Sequence, residues 1–115
     1  MSVTIYHNPR CSKSRAALAL LEEKGVVLDV IEYLKTPPSK AEMKRILKGL
    51  GMEPRDLMRK KEAPYKELNL ADETLGRDAL ITAMVENPVL IERPIVEQDG
   101  KYALGRPPEN VLGVL

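Results

Sequence analysis

The chain has very few of the cysteine, histidine and aromatic residues that mark several common functional classes. Its 115 residues include one cysteine, one histidine, no phenylalanine and no tryptophan, and 3% are aromatic. One cysteine cannot form an internal disulfide, and no CxxC…CxxC or HExxH spacing occurs, so a disulfide scaffold and a structural zinc site are excluded. The scarce aromatic side chains provide no stacking platform for single-stranded nucleic acid.

The chain also lacks a large excess of positive or negative charge, and it lacks long apolar runs. The 18 Lys and Arg nearly balance the 17 Asp and Glu, which leaves a formal net charge of +1 and no broad basic face. No apolar run approaches the roughly 20 residues of a membrane-spanning helix, and the N-terminus lacks the order of a signal peptide. We therefore expect a cytoplasmic protein that binds neither nucleic acid nor a membrane.

The first third of the chain has the pattern of a βαβ unit. "VTIYH" predicts a strand over 3–7, and good helix formers follow from Ser12 to about Lys24, with Gly25 as the closing residue. The helix is apolar nearly all round, which predicts that it is largely buried. "VVLDVIEYL" predicts a second strand over 26–34, parallel to the first.

The middle of the chain is predicted to be helical, and the end returns to strands. Ser39 and Glu42 have capping-box spacing, and Gly51 ends the helix that they begin. Short helical turns at Pro54 and Pro64 and a full helix over "DETLGRDALITAMVEN" follow. The dipeptide at 99–100, Asp-Gly, predicts a type I′ hairpin, and a last helix is expected to begin at position 107 or 108. The order is β-α-β, helical insert, β-β-α.

The single cysteine lies in "YHNPRCSKSR", between the first strand and the first helix. Ligands of α/β proteins gather at the carboxyl ends of strands and at helix N-termini. There the helix dipole, together with Arg10, Lys13 and Arg15, is expected to lower the pKa of Cys11 and make it a nucleophile. A lone cysteine is more often a small core residue, but the polar surroundings argue against that reading. Because Ser14 replaces the second thiol of a CxxC pair, a disulfide of Cys11 must be resolved by another molecule.

A second group of residues is scattered along the chain. Arg93 and Arg106 each precede a proline, and Arg59 lies in "LMRKK". Each alone is typical of a solvated surface cation, but together with the cysteine they suggest an oxyanion clamp, because a guanidinium presents a fork of donors. Their spacing does not establish that they converge. Pro94 suits the start of a strand, and His7 is either functional or simply a strand-end residue.

Four stretches together, "IYHNPRCSKSR", "LMRKKEAPYKELNLAD", "NPVLIERPIV" and "LGRPPENVL", resemble the glutaredoxin-coupled arsenate reductases of the ArsC type. The resemblance covers nearly the whole chain and is closest to a shorter subgroup without a C-terminal extension. It implies a single thioredoxin-like domain over 1–115, of α/β class, with a mixed four-stranded sheet and a helical insertion at about 39–87. The resemblance also implies roles for seven residues: Cys11 as the nucleophile, Arg59, Arg93 and Arg106 as oxyanion ligands, His7 and Ser14 as supports of the thiolate, and Pro94 as a cis-proline facing the site.

The same resemblance implies a reaction and its partners. Arsenate forms an adduct with the cysteine, glutathione attacks as co-substrate, and glutaredoxin completes the reduction to arsenite. No bound cofactor or metal is expected, and the chain is expected to act as a monomer. Two alternatives remain open: a general glutathione-dependent thiol oxidoreductase, and a non-catalytic regulator like Spx that binds RNA polymerase. A phosphatase-like arsenate reductase is excluded, because Arg15 follows Cys11 at Cys-x3-Arg rather than Cys-x5-Arg.

Overall fold

The computed structural model describes residues 2–115 and confirms the predicted α/β class with one mixed sheet of four strands. None of the helices in this range is long and apolar enough to cross a membrane. The regular elements are β1 (Ser2–His7), α1 (Ser12–Glu23), β2 (Val27–Glu32), α2 (Lys40–Leu50), α3 (Ala63–Glu67), α4 (Arg77–Glu86), β3 (Ile95–Gln98) and β4 (Lys101–Leu104), with 3-10 helices at Pro54–Leu57, Pro88–Leu90 and Pro108–Val114.

The chain divides into two compact units. One comprises the chain up to Thr36 together with Arg93–Leu115, and the other is Pro37–Glu92. The first contains the whole sheet and α1, and the second contains the remaining α-helices. The single domain with an insertion at about 39–87 stays a prediction.

The sheet has the strand order β2-β1-β3-β4. As predicted, β1 and β2 are parallel, and their last pair is His7 opposite Glu32. The strands β3 and β4 form an antiparallel hairpin, and β3 also pairs antiparallel with β1, with Tyr6 opposite Ile95. The carboxyl ends of β1 and β2 therefore lie at the same end of the sheet, next to the start of β3.

Helix α1 covers the sheet with only one of its faces. Its buried residues, Ser14, Ala17 and Leu21, recur at the spacing of a single helical stripe. The core that it joins is otherwise aliphatic: Val3, Ile5, Val96, Val111 and Val114. The prediction of a largely buried helix is therefore wrong, because Ala16 and Ala19 are exposed and Leu20 is only partly buried. An alanine- and leucine-rich sequence indicates helix formation but not how many sides of the helix are covered.

Strand β2 lies at the edge of the sheet and is shorter than the sequence indicated. It ends at Glu32, and the following residue, Tyr33, lies in a turn with 1% of its surface exposed. Two of its valines are well exposed, Val27 at 65% and Val30 at 48%. Tyr33, the first residue after β2, is thus more deeply buried than these two valines of the strand.

The second unit confirms one helix start and corrects another. The Ser39 hydroxyl accepts from the Glu42 N–H, and the Glu42 carboxylate accepts from the Ser39 N–H, each at 3.1 Å, so the capping box of α2 is formed. The predicted helix over 72–87 begins later, at Arg77. The Asp72 carboxylate accepts from both the N–H and the hydroxyl of Thr74, which stabilises a turn where the helix was expected.

The end of the chain follows the predicted order. Asp99 and Gly100 have φ values of 51° and 79°, the positive values that a type I′ hairpin requires. The last helix begins at Pro108 and is a 3-10 helix. The peptide bonds before Pro94 and Pro107 are both cis. The cis bond before Pro94 was expected from the family resemblance, and the one before Pro107 was not.

Candidate active site

Cys11 lies in the predicted place, between β1 and α1. It is the N-cap residue of α1, with an extended backbone at φ −93° and ψ 122°. Its N–H donates to the carbonyl of Asn8 at 3.0 Å, and its own carbonyl accepts from the Arg15 N–H at 2.9 Å. These bonds fix the loop that follows β1 and leave the thiol partly exposed.

The pKa of the Cys11 thiol lies below its ordinary value. Burial alone raises the pKa of the thiol, but the Arg93 side chain and backbone N–H groups together outweigh that effect. Backbone N–H groups of Ser14 and Lys13, in the first turn of α1, also lower it. The thiolate is therefore favoured by a helix terminus, as expected, and by a cation that the local sequence does not contain.

The cationic side chains next to Cys11 in sequence are not what lowers the pKa of its thiol. The Arg15 guanidinium donates to the carbonyl of Pro9 at 2.9 Å and lowers the pKa of His7. The side chains of Arg10, Lys13 and Arg15 are not among the main causes of the lowered thiol pKa. The expectation that these three would supply the positive charge is corrected, because Arg93 supplies it.

His7 and Ser14 form a buried pair. The His7 Nδ1 and Ser14 Oγ atoms are 2.6 Å apart, and the same hydroxyl accepts from the Asn8 N–H at 3.1 Å. Burial lowers the pKa of His7, against an opposing effect of Glu32. The imidazole is therefore neutral near pH 7, and the pair joins the end of β1 to α1. A supporting role toward the thiolate stays a prediction for both side chains.

Arg93 and Arg106 lie together at the start of β3 and the end of β4. The Arg106 Nε donates to the carbonyl of Arg93 at 3.3 Å, and the Gly105 N–H donates to the carbonyl of Pro94 at 2.8 Å. The Nε of Arg93 is buried and has no hydrogen-bond partner anywhere in residues 2–115. An unpartnered buried donor beside a thiolate is suited to holding a small anion.

Arg59 belongs to the other unit. Its N–H donates to the carbonyl of Leu90 at 2.7 Å, and its Nη2 lies 3.4 Å from the Glu62 carboxylate. Its Nη1 is buried without a hydrogen-bond partner in the described chain. The membership of Arg59 in an oxyanion clamp stays a prediction.

Tyr33 lies near the candidate site although its sequence context does not predict it as a site residue. Its hydroxyl is buried and makes no hydrogen bond of normal geometry within residues 2–115. Burial raises the pKa of Tyr33, Arg93 and Asn8 lower it, and the charge of Cys11 raises it, so all three residues lie near the phenol. The parallel pairing of the first two strands was the available signal, because it places the residue after β2 beside the residue after β1.

Comparisons with known proteins support the resemblance inferred from the sequence. Residues 6–114 match the ArsC family. The uncharacterized protein YfgD of Escherichia coli K12 is 59% identical over 98% of this chain and 96% of its own length. A protein of Neisseria meningitidis MC58 named arsenate reductase is 53% identical over 98% of this chain and 97% of its own length. A solved structure titled arsenate reductase from Vibrio cholerae is 59% identical with a TM-score of 0.96, covering 100% of this chain and 98% of that one. The chain therefore belongs to the ArsC family.

Proposed function

We propose that this protein reduces arsenate to arsenite, with Cys11 as the nucleophile and with glutathione and glutaredoxin supplying the remaining reducing power. The observation that carries the proposal is the position of the Arg93 side chain, whose guanidinium has a buried, unpartnered Nε and lies close enough to the Cys11 thiol to lower its pKa. It is supported by the names of full-length relatives in the family.

The nucleophile of the proposed reaction is the Cys11 thiolate. Only the thiolate attacks, and a lowered pKa increases its fraction at neutral pH. Its partial exposure leaves the sulfur accessible to a small substrate. In the proposed first step the sulfur bonds to arsenic and one arsenate oxygen leaves as water.

The remaining chemistry needs a second sulfur. Reduction of As(V) to As(III) consumes two electrons, which two thiols provide when they become a disulfide. In sum, arsenate and two thiols give arsenite, a disulfide and water. The chain contributes one of these thiols, glutathione is the proposed source of the other, and glutaredoxin is proposed to exchange thiols with the product.

The oxyanion ligands in this proposal are Arg59, Arg93 and Arg106. Two observations support Arg93, its effect on the pKa of the thiol and its buried unpartnered Nε. Arg106 is supported by its hydrogen bond to the Arg93 carbonyl. Arg59 is included on the basis of the family motif. Each Arg→Ala variant is expected to weaken sulfate or arsenate binding by about tenfold, with Arg→Lys a poor substitute.

The test of the proposed function is arsenate-dependent oxidation of NADPH in a mixture with glutathione, glutaredoxin and glutathione reductase. The parent chain should turn over, and Cys11→Ser should not, because a serine hydroxyl is almost never ionised at neutral pH. Ser14→Ala should reduce the rate without abolishing it. Arsenate-independent reduction of a model disulfide, with no arsenate reduction, would instead favour a general thiol oxidoreductase.

A further inference from the structure

The topology places Tyr33 at the same end of the sheet as the nucleophile, beyond the carboxyl ends of β1 and β2. Because β1 and β2 are parallel and His7 is paired with Glu32, Asn8 and Tyr33 are the first residues beyond each strand. The Cys11 N–H donates to the Asn8 carbonyl, which holds the nucleophile at this end of the sheet. Ligands of α/β sheets bind beyond the carboxyl ends of strands, and Tyr33 occupies such a position.

The burial of Tyr33 is unusual for a residue with a polar tip. Only 1% of its surface is exposed, yet its hydroxyl has no hydrogen-bond partner of normal geometry in the described chain. Buried polar groups are almost always bonded, since an unsatisfied one is costly. The Nε of Arg93 is a second such donor. Two orphaned donors near one thiolate indicate that an acceptor binds there.

The neighbours of Tyr33 indicate whether its hydroxyl would act as a donor or as an acceptor toward a ligand. The Asn8 side-chain oxygen accepts from the Arg10 N–H at 3.0 Å, so its amide group remains for the phenol oxygen. The Asn8 side chain and the Arg93 guanidinium both act on the oxygen and lower the pKa of Tyr33, while burial keeps it above the ordinary value. The phenol therefore retains its proton at neutral pH. With donors around its oxygen, Tyr33 has a proton to donate and no acceptor of normal hydrogen-bond geometry among residues 2–115.

We propose that Tyr33 is an oxyanion-binding residue whose neutral O–H donates a hydrogen bond to a tetrahedral anion held by Arg93 beside the Cys11 sulfur. This inference rests on the proposed function, since it assigns a further ligand to the same anion. A phenol adds a directed donor without adding positive charge. Tyr33 thus complements the arginines, which neutralise the anion, by fixing the orientation of one oxygen.

The test compares Tyr33→Phe with the parent in calorimetric titrations with sulfate and with arsenate, in the absence of glutathione. The variant should bind both anions about tenfold more weakly, because a hydrogen bond to a charged acceptor is lost. Tyr102→Phe is the matched control, since Tyr102 is a half-buried tyrosine of β4 in the same unit, and it should bind like the parent. Urea unfolding should show that Tyr33→Phe is at least as stable as the parent, because the hydroxyl that it removes is unsatisfied.

The outcomes separate this inference from the proposed function. If the parent binds sulfate or arsenate and Tyr33→Phe binds equally well, the role of Tyr33 is overturned and the clamp remains. If the parent binds neither anion, the proposed function fails first. If Tyr33→Phe keeps its anion affinity but raises the pH midpoint of Cys11 alkylation, Tyr33 acts on the thiolate, which also overturns the inference.

Discussion

Arg93 is the residue that most strongly connects the two ends of the chain at the candidate site. Its side chain lowers the pKa of the Cys11 thiol and contributes the main nearby positive charge, although a long stretch of sequence separates the two. The helix terminus adds backbone N–H groups to the same sulfur. Ionisation of the nucleophile therefore depends on folding, since an unfolded chain would not bring Arg93 to the thiol.

Replacing Arg93 should make Cys11 harder to ionise. The parent thiol should be alkylated with a pH midpoint below about 8.5, the ordinary value for cysteine. Arg93→Ala should raise that midpoint, because both the hydrogen bond and the charge that favour the thiolate are lost. Rates of iodoacetamide reaction against pH measure both values. Arg10→Ala is the matched control and should leave the midpoint unchanged; a parent midpoint at or above 8.5 would contradict the electrostatic argument.

His7 should titrate below the ordinary histidine value and make stability depend on pH. Burial lowers its pKa in the folded state, whereas the unfolded chain binds a proton near pH 6.5. As pH falls through about 6.5, the unfolded state takes up a proton that the folded state does not, so the free energy of unfolding decreases. Above that pH this contribution is complete. Because the chain has one histidine, its imidazole NMR signals report the midpoint directly.

The control for this prediction is His7→Gln, in which the dependence of unfolding free energy on pH just below 6.5 should become shallower. A folded-state midpoint above 6.5 would show that the interaction with Glu32 exceeds the effect of burial. Ser14→Ala should leave the imidazole neutral at pH 7, because burial and not the hydroxyl is the main cause.

How much of the site could be read from the sequence differs from residue to residue. The position of Cys11 follows from local sequence signals: a strand, a turn with a proline and the start of a helix. The partnership of Arg93 with the thiol and the placement of Tyr33 follow from strand pairing between distant segments, which spacing along the chain does not contain. The sequence predicts Tyr33 within a strand, since tyrosine favours strands, whereas the pairing register places it one position past the end.

At the scale of secondary structure, the predictions that held rest on local backbone chemistry. The capping box of α2 and the Asp99-Gly100 turn depend on residues within a few positions of each other. The start of α4 was misplaced because a side-chain bond of Asp72 competes with the helix. The burial of α1 was misjudged because the extent of covering depends on what packs beside it, which is a tertiary property.

Gly105 should not tolerate a side chain. A Cβ at this position would lie 2.6 Å from the Pro94 ring and 3.0 Å from Val111, so the end of β4 would be forced away from the start of β3. Gly105→Ala should cost about 1–3 kcal/mol, as overpacking does, and should raise the alkylation midpoint of Cys11 by displacing the neighbour of Arg93. Gly113→Ala is the control, since nothing lies within 4 Å of its Cβ. Urea unfolding of both variants measures the difference, and equal stabilities would contradict the close packing.

At the scale of the whole molecule, the decisive quantity is the number of thiols. The chain has one, whereas reduction of one arsenate consumes two. The second could come from another copy of the chain or from a small thiol. A chain that acts as a monomer, as the family resemblance implies, requires the small thiol, and the two sources differ in how the rate depends on protein concentration.

Omission of single components should identify the source of the second sulfur. The protein with arsenate alone should release no catalytic arsenite, because Cys11 has no resolving partner in the chain. Glutathione, glutaredoxin and a glutathione-reducing system together should support turnover, and leaving out any one should stop it. Arsenite quantified by chromatography should then appear at a rate proportional to protein concentration, since one chain acts in each cycle. A rate that rises with the square of protein concentration would indicate a Cys11–Cys11 disulfide between two copies, and full turnover with thioredoxin alone would move the general thiol oxidoreductase ahead of the proposed function.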